Sequence, residues 1–506
     1  MRASSHIGAG ELALALACAS AFLAACSGGN GVIGATCAER SDCLDQLQCF
    51  EGLCQPECHA HLDCGDGYLC NDRECEVVTS LVGESCLREI ECGPGQTCAP
   101  DVADFNGDDA LTGRCAQQEP GKVLGDECVS DDECQTRVCA LGRCTQMCAQ
   151  IADCPGGLTC ARVPRAIDGA TPRVGVCMQG SGVLEHRLEL PAPGATIQVP
   201  VPSNAVSFAV VSLADDPLQM VGAWRVAGPG GEILYRASGA PGQFYQNVIR
   251  YQPSAGVSTL LVPNTPAFEL DTSIYEVDIG SRFADGSPGS SPVHVRILYK
   301  VDTSATLDLH FHFLSLADHP CAAAFDQGVL DAASARRSHR FHSYVEQVRR
   351  TLGEAGILLS EPTFSDVGDR ADLDSIDRAR AGELFALGRE RTGIDVFLVR
   401  SILPVGVQVA VNATPGPPRT NGTSASGVAI GMDTLCYQGW PDLARLTAHA
   451  IARQMGLYYS RDPNGYPDPI PDTDGSPDNL LYFGDQGGSS LSRGQAQVLS
   501  RYPGLR

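Results

Sequence analysis

Hydrophobic and polar positions alternate at short range in a long central segment of the chain. Residues 184–301 contain five strand-length runs that alternate in polarity or are rich in β-branched residues: ATIQVPV, VSFAVVSL, STLLVP, IYEVDI and VHVRILYKV. Turn residues at 228–231 and 288–289 lie between them. Regularly spaced short runs without helical periodicity are typical of an antiparallel β-sandwich. We therefore predict an all-β sandwich over residues 183–302, and we find no catalytic constellation in it.

After residue 303 the pattern mixes strand and helix periods. In 307–313, Leu and Phe alternate with Asp308, His310 and His312, which predicts a half-buried strand with a polar face. Residues 341–352 have a helical period, and its apolar face consists of Phe341, Tyr344, Val345, Val348 and Leu352. Further strands are predicted at 357–364, 394–402 and 426–432. This order predicts a mixed α/β (α+β) domain over residues 303–506.

The first residues have the character of a targeting segment. Arg2 is followed by an apolar run at 12–23 and by Leu-Ala-Ala-Cys, which resembles a bacterial lipobox ending at Cys26. The resemblance implies that Cys26 is lipidated and that residues 1–25 are removed. Ser27 directly after the lipidated cysteine favours localisation to the outer membrane. The alternative is a plain secretory signal without a lipid anchor. No later stretch has the ~18 apolar residues of a membrane helix.

Charge and cysteine content narrow the class of protein. The 506 residues carry a formal net charge of -24, which argues against a nucleic-acid partner. Of 24 Cys, 22 remain after Cys18 and Cys26 are set aside. Twenty lie between Cys37 and Cys177, and Cys321 and Cys436 are the other two. Such density indicates an oxidising compartment, hence the cell envelope or surface.

The cysteines repeat in five units of four over residues 37–178, after a short linker at 26–36. Five residues separate the first two cysteines of every unit, and an acidic residue precedes the second. Units this small need disulfides, two apiece, in one of three pairings. Zinc is the disfavoured alternative, because only His59 and His61 lie nearby. The spacing resembles Dickkopf-like cysteine-rich modules. The units are Cys37, Cys43, Cys49, Cys54; Cys58, Cys64, Cys70, Cys75; Cys86, Cys92, Cys98, Cys115; Cys128, Cys134, Cys139, Cys144; and Cys148, Cys154, Cys160, Cys177.

One insertion loop in the third unit has oxygen ligands at alternate positions. Asp104, Asn106 and Asp108 form a weak candidate for calcium. The loop lacks the downstream bidentate Glu of an EF-hand, and a solvated loop is the favoured interpretation.

The segment HAIARQMGLYY, residues 449–459, keeps the spacing of the zinc-protease motif HExxHxxGxxH. His449 and Gly456 match that motif. Ala450 stands at the general-base position, and Arg453 and Tyr459 stand at the second and third ligand positions.

Three downstream segments give this partial match a context. DPIPDT at 468–473, DNLLYF at 478–483 and LSRGQAQVL at 491–499 occur in the order of the pappalysin-like metzincins, which this part of the chain resembles. Leu481 stands at the Met-turn position. The resemblance implies a metzincin-like domain with strand, helix, two strands, edge strand and active-site helix.

The same resemblance implies a loss of zinc chemistry. Catalytic zinc needs about three protein ligands, and a guanidinium one turn from His449 repels a dication. No catalytic residue and no cofactor are therefore expected. The alternative is an active zinc metallopeptidase with unusual ligands, in which His449 joins His310 and His312.

His339 and His342 are interpreted as surface residues, and Cys321 and Cys436 as a disulfide that holds the active-site helix. A GxSxG elbow, a P-loop and a dinucleotide motif are absent from the sequence.

The sequence thus predicts a membrane-anchored multidomain lipoprotein with disulfide-rich repeats, a β-sandwich and a degenerate metzincin-like domain. Its expected role is non-catalytic binding of a protein, peptide or envelope polymer. An active peptidase and a structural surface stalk are the competing hypotheses.

Overall fold

The computed structural model describes most of the chain after residue 34. The chain forms two compact units, one of residues 1–99 with 113–118 and the other of residues 100–112 with 119–506. Within the described residues no helix has the length and apolar character needed to cross a membrane. The described ranges are 35–43, 47–50, 52–56, 68–71, 74–77, 80–102, 111–167, 170–237, 246–314, 316, 318–326, 328–368, 370–389, 391–405, 409–462, 465–483 and 487–506.

Several predictions fall outside these ranges. They are the signal segment 1–25, the lipidated Cys26 with Ser27, the cysteines Cys58 and Cys64, and the candidate calcium loop with Asp104, Asn106 and Asp108. For Cys70 and Cys75 only the backbone is described.

In the first compact unit, disulfides hold short hairpins. The first four-cysteine repeat has the disulfides Cys37–Cys49 and Cys43–Cys54. The third repeat shows the same pairing, in which the first cysteine is joined to the third and the second to the fourth. The strands are β1 (Leu47–Phe50), β2 (Leu53–Pro56), β3 (Tyr68–Asn71), β4 (Glu74–Val77), β5 (Ser85–Cys86), β6 (Gln96–Pro100) and β7 (Gly113–Gln117). They form the pairs β1-β2 and β3-β4 and the sheet β5-β7-β6.

In three of the described repeats the acidic residue before the second cysteine has a structural role. The carboxylate of Asp42 accepts hydrogen bonds from the backbone N–H groups of Ala38 and Glu39, at 2.7 and 3.1 Å. Glu91 and Asp153 accept equivalent bonds in their own units. The acidic side chain therefore caps the short 3₁₀ turn between the first two cysteines, and it is not evidence of a metal site.

The second unit begins with the fourth and fifth repeats. Their disulfides follow the same pairing: Cys128–Cys139, Cys134–Cys144, Cys148–Cys160 and Cys154–Cys177. The strands are β8 (Cys139–Ala140), β9 (Arg143–Cys144), β10 (Leu158–Pro164) and β11 (Arg173–Gln179), and they form two hairpins.

Residues 183–300 form two antiparallel sheets that pack face to face. One has the order β12-β20-β14-β18, and the other has the order β13-β19-β15-β16 with β17 added to β15. Phe208 of the first sheet meets Tyr275 of the second, with ring centres 5.2 Å apart. The strands are β12 (Val183–Leu190), β13 (Gly194–Pro200), β14 (Ser207–Ala214), β15 (Met220–Ala227), β16 (Ile233–Arg236), β17 (Ser254–Ala255), β18 (Val257–Val262), β19 (Ile274–Arg282) and β20 (Val293–Lys300).

The C-terminal part is built around a five-stranded mixed sheet. Its order is β24-β22-β26-β29-β28; all neighbours are parallel except the edge strand β28, which runs antiparallel to β29. The strands are β21 (Thr306–Leu307), β22 (Leu309–Phe313), β23 (Leu358–Leu359), β24 (Thr363–Asp366), β25 (Ser375–Ile376), β26 (Ile394–Val399), β27 (Ser401–Ile402), β28 (Ala410–Asn412) and β29 (Val428–Gly431). The helices are α1 (Ala332–Ala335), α2 (His339–Gly353), α3 (Ala381–Phe385), α4 (Trp440–Gln454) and α5 (Arg493–Ser500).

Two long helices pack on one another and on the sheet. The five apolar residues predicted for the face of α2 are all buried, whereas His339 and His342 are exposed. Tyr344 of α2 and Thr447 of α4 share a hydrogen bond of 2.9 Å between their hydroxyls. The two buried hydroxyls thus satisfy each other's hydrogen bonding where α2 packs against α4.

The prediction of a half-buried β22 is wrong. His310 and His312 are 7% and 4% exposed, because β22 lies inside the sheet and the face opposite α2 and α4 is covered by a second apolar cluster that includes Leu384 and Phe385. His312 Nε2 lies 2.9 Å from the Asp395 carboxylate, and its ring stacks on Phe397. Parallel strands are buried on both faces, so alternation was misleading there.

Two predicted strands are each divided. The strand predicted at 357–364 becomes β23 and β24, with Pro362 in the gap; proline has no N–H for the ladder. The strand predicted at 394–402 becomes β26 and β27, which pair with different strands.

Candidate functional site

The candidate site lies at the C-terminal half of α4. Every residue from Leu446 to Ala452 is buried, so this half of the helix is enclosed on all sides. His449 is 9% exposed, and Ala450, at the position of the missing base, is 1% exposed. A helix buried all round belongs to the interior of its domain, and the polar groups that it carries there must find partners.

One ring nitrogen of His449 is engaged by the backbone. Nδ1 lies 2.6 Å from the carbonyl oxygen of Leu480. A carbonyl only accepts, so Nδ1 carries the proton and Nε2 carries the lone pair. Burial lowers the pKa of His449 to about 4, with smaller contributions in the same direction from the charges of Arg453 and Arg445 and an opposing one from the Leu480 bond. His449 is therefore neutral at pH 7.

Gly456 lets the chain turn back beside the helix. Its φ is +114°, and a Cβ there would lie 2.9 Å from Cδ2 of Leu261 in the sandwich. Glycine is thus required both by conformation and by a close approach. The turn brings Tyr459 alongside the helix, where its ring centre lies 5.7 Å from that of His449.

Arg453 and Tyr459 contact one another directly. Nη1 of Arg453 donates a 2.6 Å hydrogen bond to the Tyr459 hydroxyl, and Cζ of Arg453 lies 4.2 Å from the ring centre. Nε of Arg453 is fully buried and makes no hydrogen bond with the described residues. Burial lowers the pKa of Arg453, and the positive charge of Arg378 lowers it further. The three positions aligned with the metal ligands, 449, 453 and 459, are therefore adjacent in space.

The two motifs predicted downstream meet beneath this site. The side-chain amides of Asn479 and Gln495 bond to each other at 2.9 and 3.2 Å, and the Asn479 carbonyl oxygen also accepts from Leu481 N–H at 2.8 Å. Leu481 is fully buried in the same apolar cluster as Ala450. This pairing fixes the segment whose Leu480 carbonyl holds His449.

Asp468 and Arg250 are two buried polar residues near the site that sequence reasoning did not identify. Arg250, from the sandwich region, donates to the Pro467 carbonyl at 3.0 Å. Asp468 Oδ1 accepts from Ile470 N–H at 3.1 Å, whereas Oδ2 makes no hydrogen bond with the described residues. Burial raises the pKa of Asp468 to about 7, although the charge of Arg250 opposes the rise. No local pattern around Arg250 could have shown its hydrogen bond to Pro467, since 217 residues separate the two.

Cys321 and Cys436 are joined by a disulfide, and Cys436 lies directly before α4. The structure does not bring His310 and His312 to His449, because both strand histidines bond to groups at the sheet: Thr363 and the Thr392 carbonyl for His310, and Asp395 and Ser365 for His312.

The residues present do not fit a zinc ion. Among the described residues, the groups of three or more His, Cys, Asp or Glu side chains with ligand atoms within 4.8 Å of one another consist of cysteines only, all of them in disulfides. At the α4 site one imidazole faces a guanidinium and a phenol, where zinc requires about three neutral or anionic ligands. No catalytic step through a metal follows from this arrangement.

The edge strand β28 ends close to the site. Gly431 N–H donates to the Val409 carbonyl, and the register continues through Val411 and Ala429. In this alternating ladder the backbone groups of Asn412 point away from β29, toward the outer edge of the sheet. Just beyond it, the Thr414 carbonyl accepts from the Tyr458 hydroxyl at 3.3 Å. The chain that follows the outer edge strand of the sheet therefore contacts Tyr458, the residue next to Tyr459.

Comparison with known proteins identifies no family. No family profile matches the sequence, and no curated protein matches it. Among solved structures the chain is similar to the crystal structure of the YXIM protein from Bacillus subtilis, at 10% identity and a TM-score of 0.11, over 43% of this chain and 55% of that one. The chain thus spans about half the length of that protein, and so weak a likeness supports no inference about fold or function.

Proposed function

We propose that this protein is an exported, membrane-anchored lipoprotein whose C-terminal part is a degenerate metzincin-like domain that binds a protein, peptide or envelope polymer without cleaving it. The observation that carries the proposal is the Arg453–Tyr459 hydrogen bond beside His449. It occupies two of the three positions at which a metzincin holds its metal.

The sheet supports the metzincin-like assignment. Strand β22, helix α2, strands β24 and β26, the antiparallel edge strand β28 and helix α4 follow one another as the resemblance implies, but one further strand, β29, lies between β28 and α4 along the chain. A sheet edge whose backbone groups point outward is a common way to bind an extended peptide, since main-chain hydrogen bonds supply the affinity. Binding at β28 needs no metal.

Three features together argue against zinc-dependent cleavage. Two ligand positions hold Arg453 and Tyr459, and the base position holds buried Ala450. Loss of a general base alone costs about 10²–10⁴-fold in rate, and a nearby guanidinium opposes binding of a dication.

The envelope location is supported by the disulfides. Within the described residues all eighteen cysteines with described side chains are disulfide-bonded, which fits an oxidising compartment. Labelling cells with a radioactive or clickable palmitate should mark the wild-type chain, and Cys26→Ala should abolish the label. An unlabelled wild-type chain would reject the anchor.

Restoring the metal ligands tests the proposed ancestry of the site. The variant Arg453→His with Tyr459→His should bind about one zinc per chain, because positions 449, 453 and 459 are already adjacent. Adding Ala450→Glu should then give chelator-sensitive peptide cleavage. The matched control is His339→Ala with His342→Ala, at an exposed pair of histidines, which should change neither property. If the folded double variant binds no more zinc than the wild type, the site is not a former metal site and the proposal is wrong.

A further inference from the structure

Arg453 is half-buried, and its guanidinium has no counter-ion among the residues that the structure describes. No carboxylate pairs with it among the described residues; its one hydrogen bond goes to the neutral Tyr459 hydroxyl. Nε is fully buried and unbonded. A buried charge without a compensating charge is costly, and native proteins pair such groups or bind an ion there. Arg453 therefore has the surroundings of a residue that lacks its ligand.

A second cation acts on the same place. Arg378 lies on an exposed segment and makes no ion pair with the described residues, and its charge acts on Arg453. The chain as a whole carries -24 charges, so a local excess of guanidinium groups is unusual here. Such a cluster raises the local concentration of anions.

The surroundings also indicate the shape of the ligand. Nη2 of Arg453 makes no hydrogen bond with the described residues and, unlike Nε, is not among the fully buried atoms, so it can donate to a carboxylate oxygen in a charge-assisted hydrogen bond. Phe483 is 46% exposed and packs edge-on against Tyr459, with ring centres 5.4 Å apart. An apolar side chain next to the carboxylate would find a partner there. The nearby edge of β28 supplies backbone donors and acceptors.

We propose that the site around Arg453 and Tyr459 binds a peptide through a carboxylate, so that a fixed guanidinium recognises the anionic group. The inference rests on the proposed function, because a zinc-loaded site would have no place for this guanidinium. It adds the chemistry of the ligand, which the degenerate motif alone does not give. A terminal carboxylate and an Asp or Glu side chain share that chemistry.

Paired peptides test the proposal on the full-length protein. The probes are acetyl-Ala-Ala-Leu-Phe with a free carboxylate, the same peptide as its C-terminal amide, and the amide with Glu replacing Leu; binding is measured by calorimetry at pH 7. The free acid should bind at least about tenfold more tightly than the amide. If the third peptide binds as well as the acid, the carboxylate can come from a side chain; if it binds like the amide, the site is specific for a chain terminus.

Variants separate recognition from folding. Arg453→Met should abolish the preference for the acid, Arg453→Lys should retain part of it, and Arg378→Met should weaken it. The control Arg336→Met removes an exposed guanidinium that contacts Phe364 on the far edge of the sheet and should leave the preference unchanged. Circular dichroism establishes that each variant is folded. Equal binding of acid and amide to the wild type, or a preserved preference in folded Arg453→Met, overturns the proposal. If the wild-type protein holds no zinc and binds the acid and the amide equally, the carboxylate proposal is rejected, whereas the proposed loss of catalysis is not.

Discussion

The side chain of Arg453 lies against Tyr459, with Cζ 4.2 Å from the ring centre and Nη1 bonded to the hydroxyl. In the alignment with HExxHxxGxxH, these two residues stand where the second and third metal ligands are expected. Under the proposed function, the positive charge of Arg453 takes the place of the metal cation that an active metzincin would hold in the site. Stability, pH dependence and metal content should all reflect that replacement.

Arg453→Met should not destabilise the protein, and we expect a gain of about 1 kcal/mol in the free energy of unfolding. Removing an uncompensated buried charge outweighs the loss of one hydrogen bond and one cation–π contact. Arg453→Lys retains the charge and should show no gain. Urea titration at pH 7 measures both, and a loss above about 1 kcal/mol in the Met variant would show that Arg453 stabilises the fold.

His449 should make the protein less stable in mild acid. Its pKa in the folded protein is about 4, below the ordinary 6.5, so the unfolded chain binds more protons between those values. The stabilising contribution of the neutral ring is complete above pH 6.5 and is lost as the pH falls toward 4, by about 3 kcal/mol in total. His449→Gln should remove this dependence. Unfolding free energies at intervals of pH give the test; parallel profiles for the two proteins would contradict it.

Asp468 should have the opposite effect on stability and make the protein less stable as the pH rises. Its pKa in the folded protein is about 7 against the ordinary 3.8, so the folded protein binds the extra proton. Its contribution is greatest below pH 3.8 and declines as the pH rises to 7. Asp468→Asn should therefore stabilise the protein above pH 7 by about 2–4 kcal/mol and have little effect near pH 4. The same pH series measures it, and a variant destabilised at pH 8 would refute the account.

Gly456→Ala should cost about 2 kcal/mol, since alanine disfavours a φ of +114° and its Cβ would press on Leu261. Gly353→Ala, at the end of α2, provides the matched control: it has nothing within 4 Å and should be neutral or slightly stabilising. Leu261→Ala is itself destabilising because Leu261 is buried, but it should cost less in the Gly456→Ala background, and that difference is the steric part. A difference equal to the whole cost of Gly456→Ala would mean that the backbone conformation contributes nothing.

Much of the fold could be predicted where the pattern is local. The apolar face of α2 and the alternating runs of the sandwich follow from side-chain periods, and both correspond to observed elements. The disulfide-rich region was also expected, and the pairing of first with third and second with fourth cysteine was not, because each unit permits three pairings.

The site was only partly predictable for the same reason. Positions 449, 450, 453 and 459 could be aligned with a motif, because they lie on one helix and its following turn. Burial of His310 and His312 depends on the strands on either side of β22, and Arg250 of the β-sandwich region bonds to the Pro467 carbonyl far along the chain. The absence of a counter-ion at Arg453 is a property of the assembled site, which no local pattern contains.

The zinc content of the purified wild-type protein tests the central claim most directly. After dialysis against excess zinc and then against buffer, elemental analysis should find well below about 0.1 zinc per chain, and a library of fluorogenic peptides should show no cleavage that a chelator abolishes. About one tightly held zinc per chain, together with chelator-sensitive cleavage that His449→Ala eliminates, would contradict the account.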